Sequence, residues 1–533
     1  MPRRTRGAAP RRRLAASAAI YSAATGLSRV IGLVREIIFA RLLGAGPAAN
    51  AFTVASIIPN TIRSLVADAA LGASFIPVFN ELLERGQERR AWRVASTAIT
   101  VATVGLTAIT AAGILLARPI VELLPLEETS VDVTVTLVRI LFPVVLLLGL
   151  TGIVNAILMS FGEFTVPALA PVVWNLVIIA FLLVAFGVDD PERQVEIYAW
   201  GWLAGTLVQF LLPLPWLRGR GGRLTICWDV GDPALRRVFT QMLPITLGLG
   251  LINLNLFIAT VFATAIDGGQ FAARAIDAAF RIYMLPQGMF SVAVAAVLFP
   301  TLSRLAAARD QRGFCHTVAS GVRQIAFLLL PAAAFSVVLA EPIVRLLYEH
   351  GAWTASDTEG TAEALAAFSV GLAANGVLLL LNRAFFSMQL VWLPTWIAAG
   401  NLVLNTALLW VLYDRAGVWG IPLATSIANL VTAVVQWRLL RTRAGDLELR
   451  ETLQSVTLVL ASCFLLGAVA WATWTALDAA LGRSLLAQAV SVGVALAFAA
   501  LAYIGSATLL RIPEAAVALS LVRRRLGRPA GTL

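Results

Sequence analysis

Long apolar stretches occupy nearly the whole of this 533-residue chain and limit what it can fold into. A helix needs about 20 mostly apolar residues to cross the roughly 30 Å hydrocarbon core of a bilayer. We count fourteen such stretches, while only 13% of the residues are charged, against about 25% in soluble domains. The chain is therefore predicted to be an all-α polytopic membrane protein with fourteen transmembrane helices, and a soluble enzyme is excluded. The approximate span centres are Ile31, Leu65, Val104, Val145, Ile178, Leu207, Leu251, Ser291, Leu328, Val370, Leu404, Ile427, Val459 and Val494.

The arginines between these stretches predict how the chain is oriented. All 41 basic residues are arginine, and positively charged connections stay on the cytoplasmic side of a membrane. With both termini inside, 25 arginines of the tails and connections lie in the cytoplasm and five lie outside. A count wrong by one span would destroy this asymmetry. Because the arginines lie between apolar runs, the expected surroundings are membrane lipids, and a nucleic-acid partner is not expected.

A tandem repeat divides the chain. The segment 117–124 (ARPIVELL) is echoed by 340–347 (AEPIVRLL), and 175–177 (NLV) by 401–403 (NLV), at offsets of 223 and 226. Six spans separate equivalent points, so the two copies enter the membrane in the same sense, as in transporters built from parallel repeats. We predict a basic cytoplasmic tail (1–14), an N-lobe of spans 1–6 (15–225), a C-lobe of spans 7–12 (226–441), spans 13 and 14 (442–512) and a basic cytoplasmic tail (513–533).

Arginines inside the predicted spans mark a candidate site. A charge within a span costs about 2.5–3.5 kcal/mol on insertion scales, so it is expected to face a cavity or a partner. Arg29 and Arg35 lie in span 1 and Arg63 in span 2, whereas the second half has one comparable arginine, Arg281, entering span 8. Because a guanidinium fork matches phosphate, the pattern predicts a cationic cavity for an anionic ligand. The alternative, that these arginines are structural and paired within the bundle, stays open. Glu36 and Asp68 are the candidate charge partners.

Several segments that carry this pattern resemble a known family. These segments are Ser28–Glu36, Ala40–Phe52, Ile58–Arg63, Phe75–Val78, Phe280–Phe290, Val297–Ser303 and Gly351–Asp357. Through them, over roughly residues 15–440, the chain resembles the MurJ (MviN) family of lipid II flippases, within the multidrug/oligosaccharidyl-lipid/polysaccharide (MOP) exporter superfamily. This resemblance implies fourteen helices and a central cationic cavity for the pyrophosphate of an undecaprenyl-linked disaccharide-pentapeptide in the bacterial cytoplasmic membrane. It also implies a lipid tail held beside helices 13 and 14.

The resemblance also implies site residues. Where members of the family carry acids, this chain has Asn50 and Phe280, and Asp277, one turn before Arg281, is the candidate replacement. Some members hold a sodium ion, but the matching positions here lack carboxylates, so neither a metal nor a sodium dependence is expected. The implied cavity residues are Ser28, Arg29, Arg35, Asn60, Arg63 and Arg281, and the weak sodium-site candidates are Asn401, Asn405 and Thr425, beside Ile421 and Ala259.

The sequence favours a transporter over an enzyme. It contains no GxxxxGK[ST] motif for ATP and no grouping of nucleophile and base, so no cofactor is expected. The leading hypothesis is a lipid II flippase working by alternating access, driven by the membrane potential or an ion. The alternatives are a flippase for another polyprenyl-diphosphate oligosaccharide, of O-antigen or capsule type, a multidrug antiporter of the same superfamily, and a non-transporting scaffold. Cell-wall synthesis or division proteins are candidate protein partners.

Overall fold

The computed structural model describes residues 8–66, 69–267, 270–390 and 392–515, and within these ranges it contains helices and no β-strand. A 3-10 turn at Leu214–Leu217 and a π-helical turn at Gln287–Ser291 accompany the α-helices. The α-helices are α1 (Ala8–Leu43), α2 (Pro47–Val66), α3 (Ala69–Glu84), α4 (Glu88–Leu115), α5 (Ala117–Glu122), α6 (Glu128–Leu141), α7 (Pro143–Ser160), α8 (Thr165–Ala185), α9 (Pro191–Leu211), α10 (Pro233–Asp267), α11 (Ala272–Pro286), α12 (Val292–Ala307), α13 (Gln311–Val338), α14 (Ala340–Tyr348), α15 (Ala355–Val370), α16 (Leu372–Ser387), α17 (Trp392–Ala444), α18 (Leu449–Leu481) and α19 (Leu485–Leu509).

The predicted all-α membrane class is confirmed. Each of the fourteen predicted span centres lies in a helical segment. Among the described residues, nine helical stretches are long and apolar enough to cross a membrane, or ten if the bent pair α15–α16 is counted as one span. The α17 helix contains two predicted spans and is broken between them at Gly417, whose φ of 57° lies in the left-handed region. Fourteen spans remain a prediction that is consistent with these helices.

The order of helices repeats along the chain. The α4 and α13 helices each contain 28 residues, begin 223 positions apart and are each followed by a short helix, α5 or α14. The next span is interrupted in both halves, before Pro143 in the first and at Gly371 in the second, where α15 and α16 meet at 44°. A shared sequence of long, short and interrupted helices is what a duplicated six-span unit produces.

The chain forms two compact units. The first comprises residues 1–273 with Gly351–Trp353, and in it α10 packs against α2 and α3. The second comprises 274–350 and 354–533. In the second unit, α18 and α19 pack against each other and α18 packs along α13, with the Tyr503 hydroxyl donating to the Phe327 carbonyl at 2.7 Å. The lobe boundary predicted from the repeat, between residues 225 and 226, stays a prediction. In the structure, α10 packs with helices of the first unit and belongs to that unit.

An ion-paired cap begins α10. The carboxylate of Asp232 accepts a hydrogen bond from the backbone N–H of Ala234 at 2.7 Å. It also accepts two hydrogen bonds from Arg90 of α4, from Nε and Nη2, both at 3.0 Å. The hydrogen bonds from Arg90 hold the pKa of the Asp232 carboxyl below its ordinary value. The cap therefore joins the start of α10 to α4.

We expect Asp232→Asn to lower the melting temperature in detergent at pH 7 by about 1–3 °C, since asparagine keeps a capping oxygen but loses the ion pair. Because the pKa of Asp232 is lowered in the folded state, its stabilising effect is complete above about pH 4 and is lost as the pH falls through the lowered pKa. The difference from wild type should therefore shrink as the pH falls below the ordinary pKa of an aspartate and through the lowered one. Asp446→Asn, at an exposed carboxylate, is the control. A difference that persists unchanged in acid would contradict the assignment.

Candidate functional site

The side-chain amide of Asn175 on α8 contacts two of the predicted site residues of α1, Ser28 and Arg35. Asn175 accepts a hydrogen bond from Nη1 of Arg35 at 3.1 Å. The Nδ2 group of Asn175 lies 3.4 Å from both the backbone oxygen and the hydroxyl of Ser28, and it donates to the Pro171 carbonyl at 2.9 Å. Ser28 and Arg35 are two helical turns apart and face the same neighbour. These contacts fix the position of α1 along α8.

Arg35 is enclosed by aromatic rings. Its guanidinium carbon lies 4.9 Å from the ring centre of Trp174 and 5.5 Å from that of Trp202, and the residue is 4% exposed. The Glu36 carboxylate, also buried, lies 3.8 Å from Nη2 of Arg35. A stacked, hydrogen-bonded guanidinium keeps its charge away from water at reduced cost. These contacts match the structural alternative for Arg35, and its role in the cavity stays a prediction.

The other predicted site residues of the first unit are more accessible. Arg29 is exposed, and its side chain has no hydrogen bond or ion pair with any described residue. On α2, Asn60 and Arg63 are half-buried and three residues apart, so they share one helix face. Pro59 lies just before them inside α2 and cannot donate a backbone hydrogen bond, so this turn of the helix lacks one of its bonds. In the first unit, Arg29 is therefore accessible, and Arg63 lies close to the turn of α2 that contains Pro59.

The predicted charge partners have different outcomes. Glu36 lies beside Arg35, its neighbour, and Arg29 makes no ion pair among the described residues. Asp68 lies outside the described residues. In the second unit, the Oδ2 atom of Asp277 accepts from Nε of Arg281 at 2.8 Å. The acid one turn before Arg281 is therefore its ion-pair partner.

Sequence reasoning missed Arg274, which completes this cluster on α11. Arg274 is 1% exposed, and its Nη1 atom lies 3.4 Å from the same oxygen of Asp277. The spacing of three and four residues between Arg274, Asp277 and Arg281 places all three on one helix face and is the signal that could have found it. Two arginines of one helix face therefore share the carboxylate of Asp277.

An aromatic wall and a distorted turn follow this cluster. The rings of Phe280 and Tyr283 stack at 5.8 Å, and Phe368 lies 5.5 and 5.4 Å from them. The Tyr283 hydroxyl accepts from Asn375 at 2.8 Å. After Pro286, α11 passes into the π-helical turn Gln287–Ser291. Single π turns concentrate at functional sites because they re-aim side chains and backbone.

The sodium-site candidates of α17 are engaged in helix packing. Asn401 donates to Thr432 at 2.7 Å and lies 3.4 Å from the amide oxygen of Asn429, which joins the two halves of α17. Asn405 is buried, and Thr425 lies 3.4 Å from the Ile421 carbonyl. Among the described residues no three His, Cys, Asp or Glu side chains cluster as a metal site. Ala259 belongs to α10 of the first unit and supplies no ligand.

Solved structures define the class of this fold. The structure described as "Lipid II flippase MurJ, inward closed conformation" aligns with a TM-score of 0.76 at 20% identity, covering 95% of this chain and 99% of that chain. An inward-facing multidrug resistance MATE family transporter of the MOP superfamily aligns with a TM-score of 0.69 at 17% identity, covering 81% and 99%. The chain therefore has the multi-pass helical fold that these two solved structures share.

Sequence comparison gives the family. The family model "Lipid II flippase MurJ" matches residues 39–508. A "Probable lipid II flippase MurJ" of Vibrio cholerae is 30% identical over 516 residues, 93% of this chain and 97% of that protein. The corresponding protein of Rhizobium meliloti is 32% identical over 427 residues, 78% of each chain. The chain belongs to the MurJ family, which confirms the resemblance drawn from its motifs.

Replacing Arg35 by alanine should destabilise the fold, whereas replacing Arg29 by alanine should not. Arg35→Ala removes a buried cation from between two tryptophans and leaves the Asn175 oxygen without that donor, so we expect a loss of about 3 kcal/mol in unfolding free energy. Arg35→Lys should fall between wild type and alanine because an ammonium cannot reproduce the stacked fork. Arg29→Ala should leave the melting temperature in detergent unchanged. Equal destabilisation by Arg29→Ala and Arg35→Ala would refute the separation of their roles.

Proposed function

We propose that this protein is a lipid II flippase, which moves the undecaprenyl-diphosphate disaccharide-pentapeptide from the inner to the outer leaflet of the bacterial cytoplasmic membrane by alternating access. The observation that carries the proposal is the family match, which extends over residues 39–508 and therefore over both halves of the repeat. The topology we propose has both termini in the cytoplasm, following the distribution of the arginines.

The residues of the first unit fit a pyrophosphate ligand. Arg29 is exposed and unpaired within the described part of the chain, and Arg63 lies on a face of α2 shared with Asn60. Guanidinium groups stay charged at any physiological pH and bind phosphate oxygens in pairs. We assign Arg29 and Arg63 to binding the pyrophosphate, with Asn60 as a neutral donor. Arg35 positions α1 through Asn175, which keeps Arg29 in register.

The proposed binding role is tested by measuring lipid II binding to the purified protein. Replacing Arg29 and Arg63 together by alanine should weaken binding at least about tenfold, because hydrogen bonds to charged groups contribute about 1.5–3 kcal/mol each. Arg139→Ala, at an exposed arginine of α6 in the same unit, is the matched control and should bind as wild type. Unchanged binding by the double variant, with an unchanged melting temperature, would refute the assignment.

Substrate identity is tested in cells. Depletion of the protein should make lipid II accumulate in the inner leaflet, whereas accumulation of another polyprenyl-diphosphate glycan would support the O-antigen or capsule alternative. A multidrug antiporter of the same superfamily would keep drug efflux in the Arg29/Arg63 double variant. A scaffold for cell-wall synthesis or division proteins would tolerate both substitutions as long as the protein folds and reaches the membrane.

The energy source we propose is the membrane potential or an ion other than sodium. The family positions for sodium carry amides and a hydroxyl in place of carboxylates, and Asn401 is hydrogen-bonded to Thr432. Lipid II translocation in proteoliposomes should therefore be unchanged when sodium is replaced by potassium or choline on both sides, and should change when the potential is clamped at zero. A sodium requirement would contradict this part of the proposal.

A further inference from the structure

A cavity of about 700 Å³ lies within the second unit, and none of the predicted site residues lines it. It is formed by α13, the first turns of α18 and the residues that follow α19. Its volume falls in the range of about 300–1,000 Å³ that is typical of small-molecule sites. The arginine distribution predicts that this end of the bundle faces the cytoplasm, where the inner-leaflet headgroups lie.

One side of the cavity is a fixed ion-pair network. Arg323 of α13 donates to Glu448 at 2.9 Å and lies 3.2 Å from Glu514, which also accepts from Ser455 at 3.1 Å. Glu514 is 8% exposed. Glu448 has a φ of 50°, a strained conformation for this residue, and a second contact of 2.7 Å with His316 holds it. The single guanidinium of Arg323 bridges the two carboxylates and rigidifies the wall, and the pair of carboxylates leaves this side of the cavity negatively charged.

Two further charges of the cavity have no such partner. Glu451 and Arg511 both line it and both are exposed, and neither side chain makes an ion pair or hydrogen bond with any described residue. Phe327, Leu458 and Leu510 supply an apolar wall to the same space. The cavity therefore offers one carboxylate, one guanidinium and an apolar surface to a single ligand.

We propose that this cavity binds the headgroup of a zwitterionic phospholipid, phosphatidylethanolamine, with its ammonium on Glu451, its phosphate on Arg511 and the start of its acyl chains on the apolar wall. Three carboxylates and two guanidinium groups line the cavity, so its net charge is negative. That balance accepts a zwitterion but disfavours an anionic lipid and, more strongly, a pyrophosphate. The site is therefore for a membrane phospholipid, and it shares no residue with the proposed lipid II site.

The experiment is native mass spectrometry of the purified full-length protein with added phosphatidylethanolamine or phosphatidylglycerol of equal chain length. Phosphatidylethanolamine should bind more tightly, and Glu451→Gln and Arg511→Gln should each weaken it by about two- to fivefold, the range expected for exposed ion pairs. Asp446→Asn and Arg450→Gln change neighbouring charges that do not line the cavity and should have no effect. Lipid II binding should be unchanged in all four variants.

Three results would overturn the proposal. Equal binding of the two phospholipids would show that the cavity does not select a zwitterion. Unchanged phosphatidylethanolamine binding in the Glu451/Arg511 double variant would place the lipid elsewhere. Displacement of phosphatidylethanolamine by lipid II, with weaker lipid II binding in the double variant, would assign the cavity to the substrate. Failure of the Arg29/Arg63 variant to affect lipid II would bear on the proposed function and not on this cavity.

Discussion

The bilayer gives no water to the backbone, and this constraint governs the rest of the structure. Every N–H and C=O group in the hydrocarbon region must find its partner within the protein, so the spans are helices and interruptions are confined to places where other protein groups or a cavity can compensate. The described helices follow this rule: interruptions within spans are few, at Pro143, at Gly371 and at the π turn after Pro286, and Gly417 breaks α17 between two predicted spans. Irregular backbone is therefore rare in the described spans. Two of its occurrences lie on the helices of predicted site residues: the π turn follows the helix of Arg281, and Pro59 lies in α2 close to Arg63.

The absence of water in the hydrocarbon region also determines which surroundings a charged arginine needs there. Arg29 and Arg35 lie on one helix, six residues apart, and carry the same charge. Arg35 is enclosed because Trp174, Trp202 and Asn175 stand opposite it, whereas Arg29 faces no such group among the described residues. An enclosed guanidinium stabilises a helix pair, and an exposed one within a span stays available to an anion. Position in the helix register therefore separates the surroundings of the two arginines, which the cost of burying charge alone does not.

This separation also shows how far sequence reasoning reaches. The apolar runs, the arginine asymmetry and the repeat predicted the all-α membrane fold because they depend on composition and periodicity within a segment. The contacts of Arg35 depend on a residue 140 positions away, which no local pattern reveals. Arg274 was missed although its spacing to Asp277 was visible in the sequence, because its burial follows from packing that no local pattern reveals. The cavity at Arg323 depends on three separate segments of chain and had no sequence signal.

The repeat explains how charge could become concentrated in one half of the chain. Asn175 and Asn401 occupy equivalent positions, 226 residues apart, and both amides join neighbouring helical segments. Asn175 does so through the hydroxyl of Ser28 and the guanidinium of Arg35, whereas Asn401 does so through Thr432 and Asn429. The amide thus links helical segments in both halves of the chain, and its partners include a charged arginine in the first half and only neutral side chains in the second. Because the helices satisfy their own backbone, changing that partner alters the electrostatics around the joined helices without altering the path of the chain.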